Sequence, residues 1–185
     1  MIAYYTKDTP YEQEIEGLKK SCSDFGIMLH TKGFSNQGSW QKNTALKPIF
    51  IGQMLELCDS NIVYVDADAR IRQYPIIFDE LCKDKDNHIA VHYRNNTELL
   101  SGTIYLQNCE IVKDLVNQWI IEQQMKPRIW DQKVLQSIVE GNDIPITVYH
   151  LPPAYTQIFD IMKHYGKPVI EHMQASRRLR GAVQC

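Results

Sequence analysis

The stretch Asn61-Ile62-Val63-Tyr64-Val65-Asp66-Ala67-Asp68-Ala69-Arg70 runs four consecutive apolar residues into two carboxylates placed two positions apart. A short, unbroken apolar run reads as a strand buried on both faces, the kind found in parallel sheets covered by helices. In open α/β sheets, ligands bind beyond the carboxyl ends of the strands, where Asp66 and Asp68 would stand. If the chain stays extended there, the two acids point to the same side and repel. A hard divalent cation completed by substrate phosphates relieves that repulsion. A polar turn after a strand is the plainer reading, since Asp is a common turn residue.

Working outward, strands alternate with helices. Ile2 to Thr6 reads as a strand. Tyr11 to Phe25 reads as a helix, with Ile15, Leu18, Cys22 and Phe25 at three- and four-residue steps, ended by Gly26. Ile27 to Thr31 reads as a second strand, and a loop rich in Gly, Ser, Asn and Gln spans Gly33 to Asn43. A helix follows from about Thr44 to Cys58, with Pro48 tolerated near its first turn. Downstream, His88 to Tyr93 and Leu99 to Gln107 read as strands. Glu110 to Gln124 is an amphipathic helix with Val112, Leu115, Val116, Trp119 and Ile120 on one face. Trp130 to Glu140 is another, and Ile144 to Leu151 reads as a strand ended by Pro152-Pro153. The pattern predicts an α/β fold with a mostly parallel central sheet flanked by helices. No repeat or linker divides it, so residues 1–185 read as one domain.

Composition sets outer limits. The 185 residues are 44% hydrophobic and 23% charged, ordinary for a water-soluble chain able to bury a core. A net charge of −2 exerts no global pull on nucleic acid or acidic membrane. The five cysteines (22, 58, 82, 109 and 185) include no CxxC pair, which reads as reduced, mostly core-filling thiols in a cytoplasmic protein. The N-terminal residues lack the basic start and apolar run of a signal peptide, and no stretch is long and apolar enough to span a membrane. Asn95-Asn96-Thr97 matches a glycosylation sequon, read as chance in such a chain.

Five segments, in order, resemble glycosyltransferases of the GT-A fold that use nucleotide-diphospho-sugars. Asn61 to Arg70 looks like their strand and DxD motif. Leu100-Ser-Gly-Thr-Ile-Tyr-Leu-Gln-Asn108 is similar to the strand bearing a small-residue turn beside the donor sugar, which puts Ser101 and Gly102 there. Trp130-Asp-Gln-Lys-Val-Leu135 resembles a "D-Q" helix start, and Leu151-Pro-Pro-Ala-Tyr155 a strand exit. Ile170-Glu-His-Met-Gln-Ala-Ser-Arg-Arg178 resembles the terminal segment whose His closes the metal shell.

The resemblance implies a metal set of Asp66, Asp68 and His172, holding Mn²⁺ or Mg²⁺. An imidazole nitrogen in the set favours Mn²⁺. His172 also admits a structural reading, as do His30, His88, His92, His150 and His164. Arg177 and Arg178 either grip the diphosphate or form a solvated tail with Arg180. Asp131 either caps its helix or, with Asp66 and Asp68, belongs to the catalytic set and orients hydroxyls or takes a proton. Gly102 permits close approach by a ligand, or marks a bulge. Tyr4, Tyr5 and Thr6 lie where the fold receives the nucleotide base, although alternation sends one tyrosine into the core. Trp40, Asn43 and Lys47 occupy donor-contacting positions, with Lys47 either near a phosphate or solvated.

The implied activity is sugar transfer from a UDP-sugar to a hydroxyl, with retention favoured over inversion. The acceptor stays open between a glycan, a lipid-linked sugar, a protein and a modified nucleic-acid base. A non-catalytic sugar-nucleotide binding module is the alternative. Haloacid-dehalogenase-type phosphatases also carry DxD after a buried strand. There, however, the motif lies near the N-terminus and continues with Thr or Val where this chain has Arg70.

Overall fold

The computed structural model describes residues 1–141 and 143–177. In chain order they form β1 (Ile2–Thr6), α1 (Pro10–Asp24), β2 (His30–Phe34), α2 (Trp40–Thr44), α3 (Leu46–Leu57) and β3 (Ile62–Val65). Then come β4 (Ala69–Ile71), α4 (Ile76–Lys83), β5 (Ile89–Arg94), β6 (Glu98–Leu106), α5 (Glu110–Met125) and α6 (Asp131–Gly141). β7 (Val148–His150), β8 (Gln157–Ile158) and β9 (Ile170–His172) complete the strands.

Local chemistry starts and stops these elements. The Thr9 side chain accepts from the Tyr11 amide and Pro10 fills the first helical position, so α1 begins there. Gly26, at φ +66°, ends it, and the Ile27 amide turns back onto the Cys22 carbonyl. Ser39 caps α2 in the same way, a helix inside the stretch read as loop.

The main sheet runs in the order β2-β1-β3-β6-β5-β7. β2, β1 and β3 are parallel, as are β5 and β7, while β6 runs antiparallel to both of its neighbours. The sheet is therefore mostly parallel with one reversed strand. A three-stranded sheet, β4-β9-β8, stands apart from it. Two apolar cores flank the main sheet. One gathers Phe50, Ile51, Trp119 and Leu135 from α3, α5 and α6; the other gathers Ile15, Leu18, Phe78 and Leu81 from α1 and α4. This is the α/β architecture expected.

Several boundaries differ from the sequence reading. The second strand starts at His30 rather than Ile27, because pairing with Ile2 fixes its register. The strand read over Ile144 to Leu151 is confined to Val148–His150. Of the four described cysteines, Cys22 is buried while Cys82 is exposed, so core filling is not their common role. Among the described residues, no helix is long and apolar enough to cross a membrane.

One irregularity builds the site. Ala90 pairs with Tyr105 but His92 with Leu100, so one residue of β5 faces four of β6, Ser101 to Ile104. Bulges of this kind re-aim side chains next to functional sites. Here the surplus residues swing over the end of β3, where Val65 pairs with Thr103 and the Asp66 amide bonds the Gly102 carbonyl at 2.8 Å.

Candidate active site

Asp66 and Asp68 follow the last residue of β3, and His172 arrives on β9, whose register sets His172 opposite Ala69. The β4 strand that holds this register is docked on α1. The Arg70 guanidinium pairs with Glu14 and bonds its carbonyl, and the Ile71 amide donates to Ser21 Oγ at 3.0 Å. Gly17 makes the docking possible, since a Cβ there would lie 2.3 Å from the guanidinium carbon of Arg70.

Each member of the trio has one atom engaged and another turned inward. Asp66 Oδ1 accepts from the Tyr64 hydroxyl at 2.7 Å and pairs with Lys47 Nζ at 3.1 Å. Asp68 Oδ2 accepts from the Ala175 amide at 2.8 Å. His172 Nε2 bonds Thr103 Oγ1 at 2.9 Å, while its Nδ1 lies 3.8 Å from Asp68 Oδ1. In the tautomer that donates from Nε2, Nδ1 keeps its lone pair. Ligand atoms of the three residues lie within 4.8 Å of one another. Gly102 leaves the space: a Cβ there would stand 2.9 Å from His172 Cε1 and 3.2 Å from Asp66 Oδ2. Two carboxylates, an imidazole and an uncrowded centre fit a divalent cation.

Electrostatics separate the two acids. Burial pushes the Asp66 carboxyl up; Lys47 and His172 pull it back, while Asp68 and Asp131 add to the rise. Burial also acts on Asp68, but the hydrogen bond and charge of His172, the Ala175 amide and Arg70 outweigh it and hold the carboxyl below its ordinary range.

A second cluster adjoins the first. Lys47 is 3% exposed, and its ammonium bridges Asp66 to Asp131, 2.8 Å from Asp131 Oδ2, while bonding the Ser101 carbonyl and hydroxyl. Burial opposes its charge, yet the carboxylates of Asp131 and Asp66 win and hold its pKa above the usual lysine value. Ser101 Oγ donates to Asp131 Oδ2 at 3.0 Å. Asp131 is the first residue of α6, fixed there by the buried Trp119, whose indole donates to the Asp131 carbonyl at 3.1 Å.

All the described candidates from the sequence line one cleft of about 330 Å³. Tyr4 is buried against Phe34 and Phe50, its hydroxyl donating to the Asn43 carbonyl, whereas Tyr5 is half-buried against Gly33. Thr6 shares a hydroxyl contact with Thr9. Trp40 meets Trp130 edge to face at 5.5 Å. The Asn43 amide closes the preceding loop through Gln37 and Asn36. Arg177 sits exposed at the rim, paired with Asp160; Arg178 lies outside the described residues.

Sequence reasoning did not single out Tyr11, Tyr64, Glu98, Thr103 or Gln132. Tyr64 was legible, since it lies two residues before Asp66 on the same side of an extended chain. Gln132 stood in the quoted helix start without a role. It joins the Ser101 amide to Glu98, which pairs in turn with Arg94 across the β5–β6 hairpin. Nothing local marks Thr103.

Residues 8–179 match the family model described as nucleotide-diphospho-sugar transferase. The chain belongs to this family. The comparison with curated proteins yields no match, but solved structures share the fold of this transferase. A glycosyltransferase involved in glycosylation of the major capsid of PBCV-1 superposes with a TM-score of 0.73 at 16% identity, covering 98% of each chain. Mouse xyloside xylosyltransferase 1 gives 0.57 at 10% identity, over 95% of this chain and 97% of its own. The galactosyltransferase LgtC, in complex with donor and acceptor sugar analogs, gives 0.52 at 12% identity, over 100% and 97%. The chain thus joins membership of the nucleotide-diphospho-sugar transferase family to the fold seen in these glycosyltransferase structures.

Proposed function

We propose that this chain transfers a sugar from a UDP-sugar to a hydroxyl acceptor in a metal-dependent reaction that retains the anomeric configuration. The observation that carries the reading is the convergence of Asp66, Asp68 and His172 on a centre kept open by Gly102. Those three residues hold the cation, with Mn²⁺ favoured. When bound, the cation supplies Lewis-acid neutralisation of the departing diphosphate.

The remaining residues position and bind. Lys47 fixes the spacing of Asp66 and Asp131, and Ser101 fixes the orientation of Asp131 towards the donor sugar. Tyr4, Tyr5 and Thr6 border the end that takes the base, and Arg177 stands at the rim for the diphosphate. Retention is supported by the state of the carboxylates outside the metal trio. An inverting route needs a carboxylate free to take the acceptor's proton. Among the described lining residues, Asp131 is committed to Lys47 and Ser101, and Glu98 to Arg94 and Gln132. The acceptor oxygen bonds the anomeric carbon as that carbon's bond to the phosphate oxygen breaks, and the hydroxyl proton leaves with the nucleoside diphosphate. A cytoplasmic setting accords with the free thiols of Cys22, Cys58, Cys82 and Cys109.

Calorimetric titration of UDP with and without Mn²⁺, on the unmodified chain and on Asp68→Ala, tests the reading. Binding that requires Mn²⁺ and disappears in the variant is expected. Silence of UDP and of other nucleoside diphosphates under both conditions would overturn it.

A further inference from the structure

β4 is three residues long and stands at the edge of the small sheet, with β9 on one side only. Yet two members of the trio depend on where it lies. Asp68 immediately precedes it, and its register sets His172 opposite Ala69. The Met173 amide donates to the Asp68 carbonyl at 3.1 Å and the Arg72 amide to the Val169 carbonyl at 2.8 Å, so Asp68 and Arg72 present their backbone to β9. Alternation then turns the backbone groups of Ala69 and Ile71 away from β9, as an open edge. So short a strand holds its register weakly, and a slip of one residue would displace His172 by about 3.3 Å along the strand.

α1 closes that edge. The Ile71 amide donates to Ser21 Oγ at 3.0 Å, and the hydroxyl donates in turn to the Leu18 carbonyl, also at 3.0 Å. The Arg70 guanidinium turns back to the Ala69 carbonyl of its own strand, 2.8 Å away, and reaches α1 at the Glu14 carbonyl, 3.1 Å away. A second guanidinium nitrogen pairs with the Glu14 carboxylate. The pair is largely out of water, with 8% of the Glu14 side chain and 19% of the Arg70 side chain exposed. Gly17 leaves the slot that the guanidinium fills. None of Glu14, Gly17, Ser21 and Arg70 lines the cleft.

An ion pair buried to this extent adds little net stability, because desolvation offsets the attraction; its best-attested use is to set registry. Ala69 and Ile71 share an apolar core with Ile15 and Leu18 of α1. Such packing is non-directional and survives a small slide, whereas the Arg70 guanidinium meets the Glu14 carboxylate in one alignment. A metal shell is the part that feels the difference, since its ligand distances are held to about 0.2 Å.

We infer that Glu14 is a positioning residue of the metal site: through Arg70 it fixes β4 against α1, and β4 in turn fixes the separation of Asp68 and His172. The inference rests on the metal reading above, in which the trio holds the cation. Glu14 touches neither cation nor substrate and acts only through Arg70 and the β4–β9 register.

The test separates stability from metal affinity in the full chain. Glu14→Leu combined with Arg70→Met removes both charges and keeps most of the volume, so the metal-free denaturant midpoint should hold or rise. The dissociation constant for Mn²⁺ alone, read by paramagnetic resonance and corrected for the folded fraction, should increase about tenfold or more, as when a group that orients a ligand is lost. Glu14→Gln keeps the shape and removes one charge, and should raise the same constant by a smaller factor. An unchanged corrected constant in the double variant, or in Glu14→Gln should the double variant not fold, would overturn the inference. So would a loss of binding that vanishes on that correction, which is what a purely structural pair would give. Absence of Mn²⁺ binding by the unmodified chain would instead overturn the metal reading, and this inference with it.

Discussion

Replacing Gly102 with alanine adds one methyl group to the centre of the Asp66–Asp68–His172 trio. That methyl would stand 2.9 Å from His172 Cε1, 3.1 Å from His172 Nδ1 and 3.2 Å from Asp66 Oδ2. Carbon–carbon contacts are comfortable at about 3.5–4.0 Å, so at least half an ångström must be found by moving something. The imidazole is held from behind by Thr103, and the Asp66 carboxylate by Tyr64 and Lys47, so neither retreats freely. Overpacking of this kind costs about 1–3 kcal/mol. If the ligand atoms bear that strain when the cation is bound, at about 1.4 kcal/mol per tenfold, Mn²⁺ affinity falls about 5- to 150-fold. The assay is a Mn²⁺ titration followed by paramagnetic resonance, paired with melting curves with and without the metal. The metal-dependent rise in Tm should shrink with the logarithm of the lost affinity. Mn²⁺ affinity within about twofold of the unmodified chain would refute the reasoning, because the trio would then not converge on that space.

Thr103→Val keeps the shape of a buried side chain but removes the hydroxyl that orients His172; Mn²⁺ affinity should fall about 10–100-fold with little change in the metal-free Tm, as titration and melting would report. Lys47→Met strands the carboxylates of Asp66 and Asp131 and should cost about 3–5 kcal/mol in denaturant unfolding, because one partner of a buried ion pair is removed. Adding Asp131→Asn to that variant should recover part of the loss, and strictly additive effects would contradict the pairing. Acidification acts with opposite signs on Asp66 and Asp68. Asp68 is held below its ordinary range, so its contribution to stability is complete above the unfolded value of about 3.9 and drains away as pH falls through the lower folded value. Asp66 is raised, so the folded chain takes up a proton there first, and Mn²⁺ affinity should decline with falling pH before ordinary aspartates protonate. Affinity that stays flat between about pH 7 and pH 4 would contradict that assignment.

The long elements were legible because burial on one face writes a period into the sequence. α5 shows it plainly: Val112, Leu115, Val116 and Trp119 recur at helical steps and all reach the core. β3 was legible for the opposite reason, as a strand covered on both sides has no polar face to alternate with. The short elements carried no such signal. β4, β8 and β9 have two or three residues each, too few for any period, and β4 pairs with β9 across about a hundred positions of chain. α4 was missed because its start at Pro75 lacks a side-chain cap, although Phe78 and Leu81 bury as a helix face should. β2 was displaced because Ile27 and Leu29 look more strand-like than His30 to Phe34, but strand pairing follows register rather than hydrophobicity.

The same distinction explains the site. Asp66 and Asp68 could be read locally because a buried strand aims them, and the carboxyl end of such a strand is where a ligand is met. Lys47 shows what local reading misses. On its own it looks like any lysine near a helix start, and nothing nearby in sequence announces that Asp66 and Asp131, 19 and 84 positions away, will close around it. Its burial at 3% exposure is tolerable only because both acids are present, and their proximity in turn is tolerable only because the ammonium lies between them. The bulge over Ser101 to Ile104 is the same kind of fact: it appears as a register shift between β5 and β6, yet it brings Ser101 to Asp131, Gly102 beneath the trio and Thr103 behind His172. A residue type at a strand end can suggest chemistry, but the spacing that makes two acids, an imidazole and a buried lysine compatible is a property of the assembled sheet.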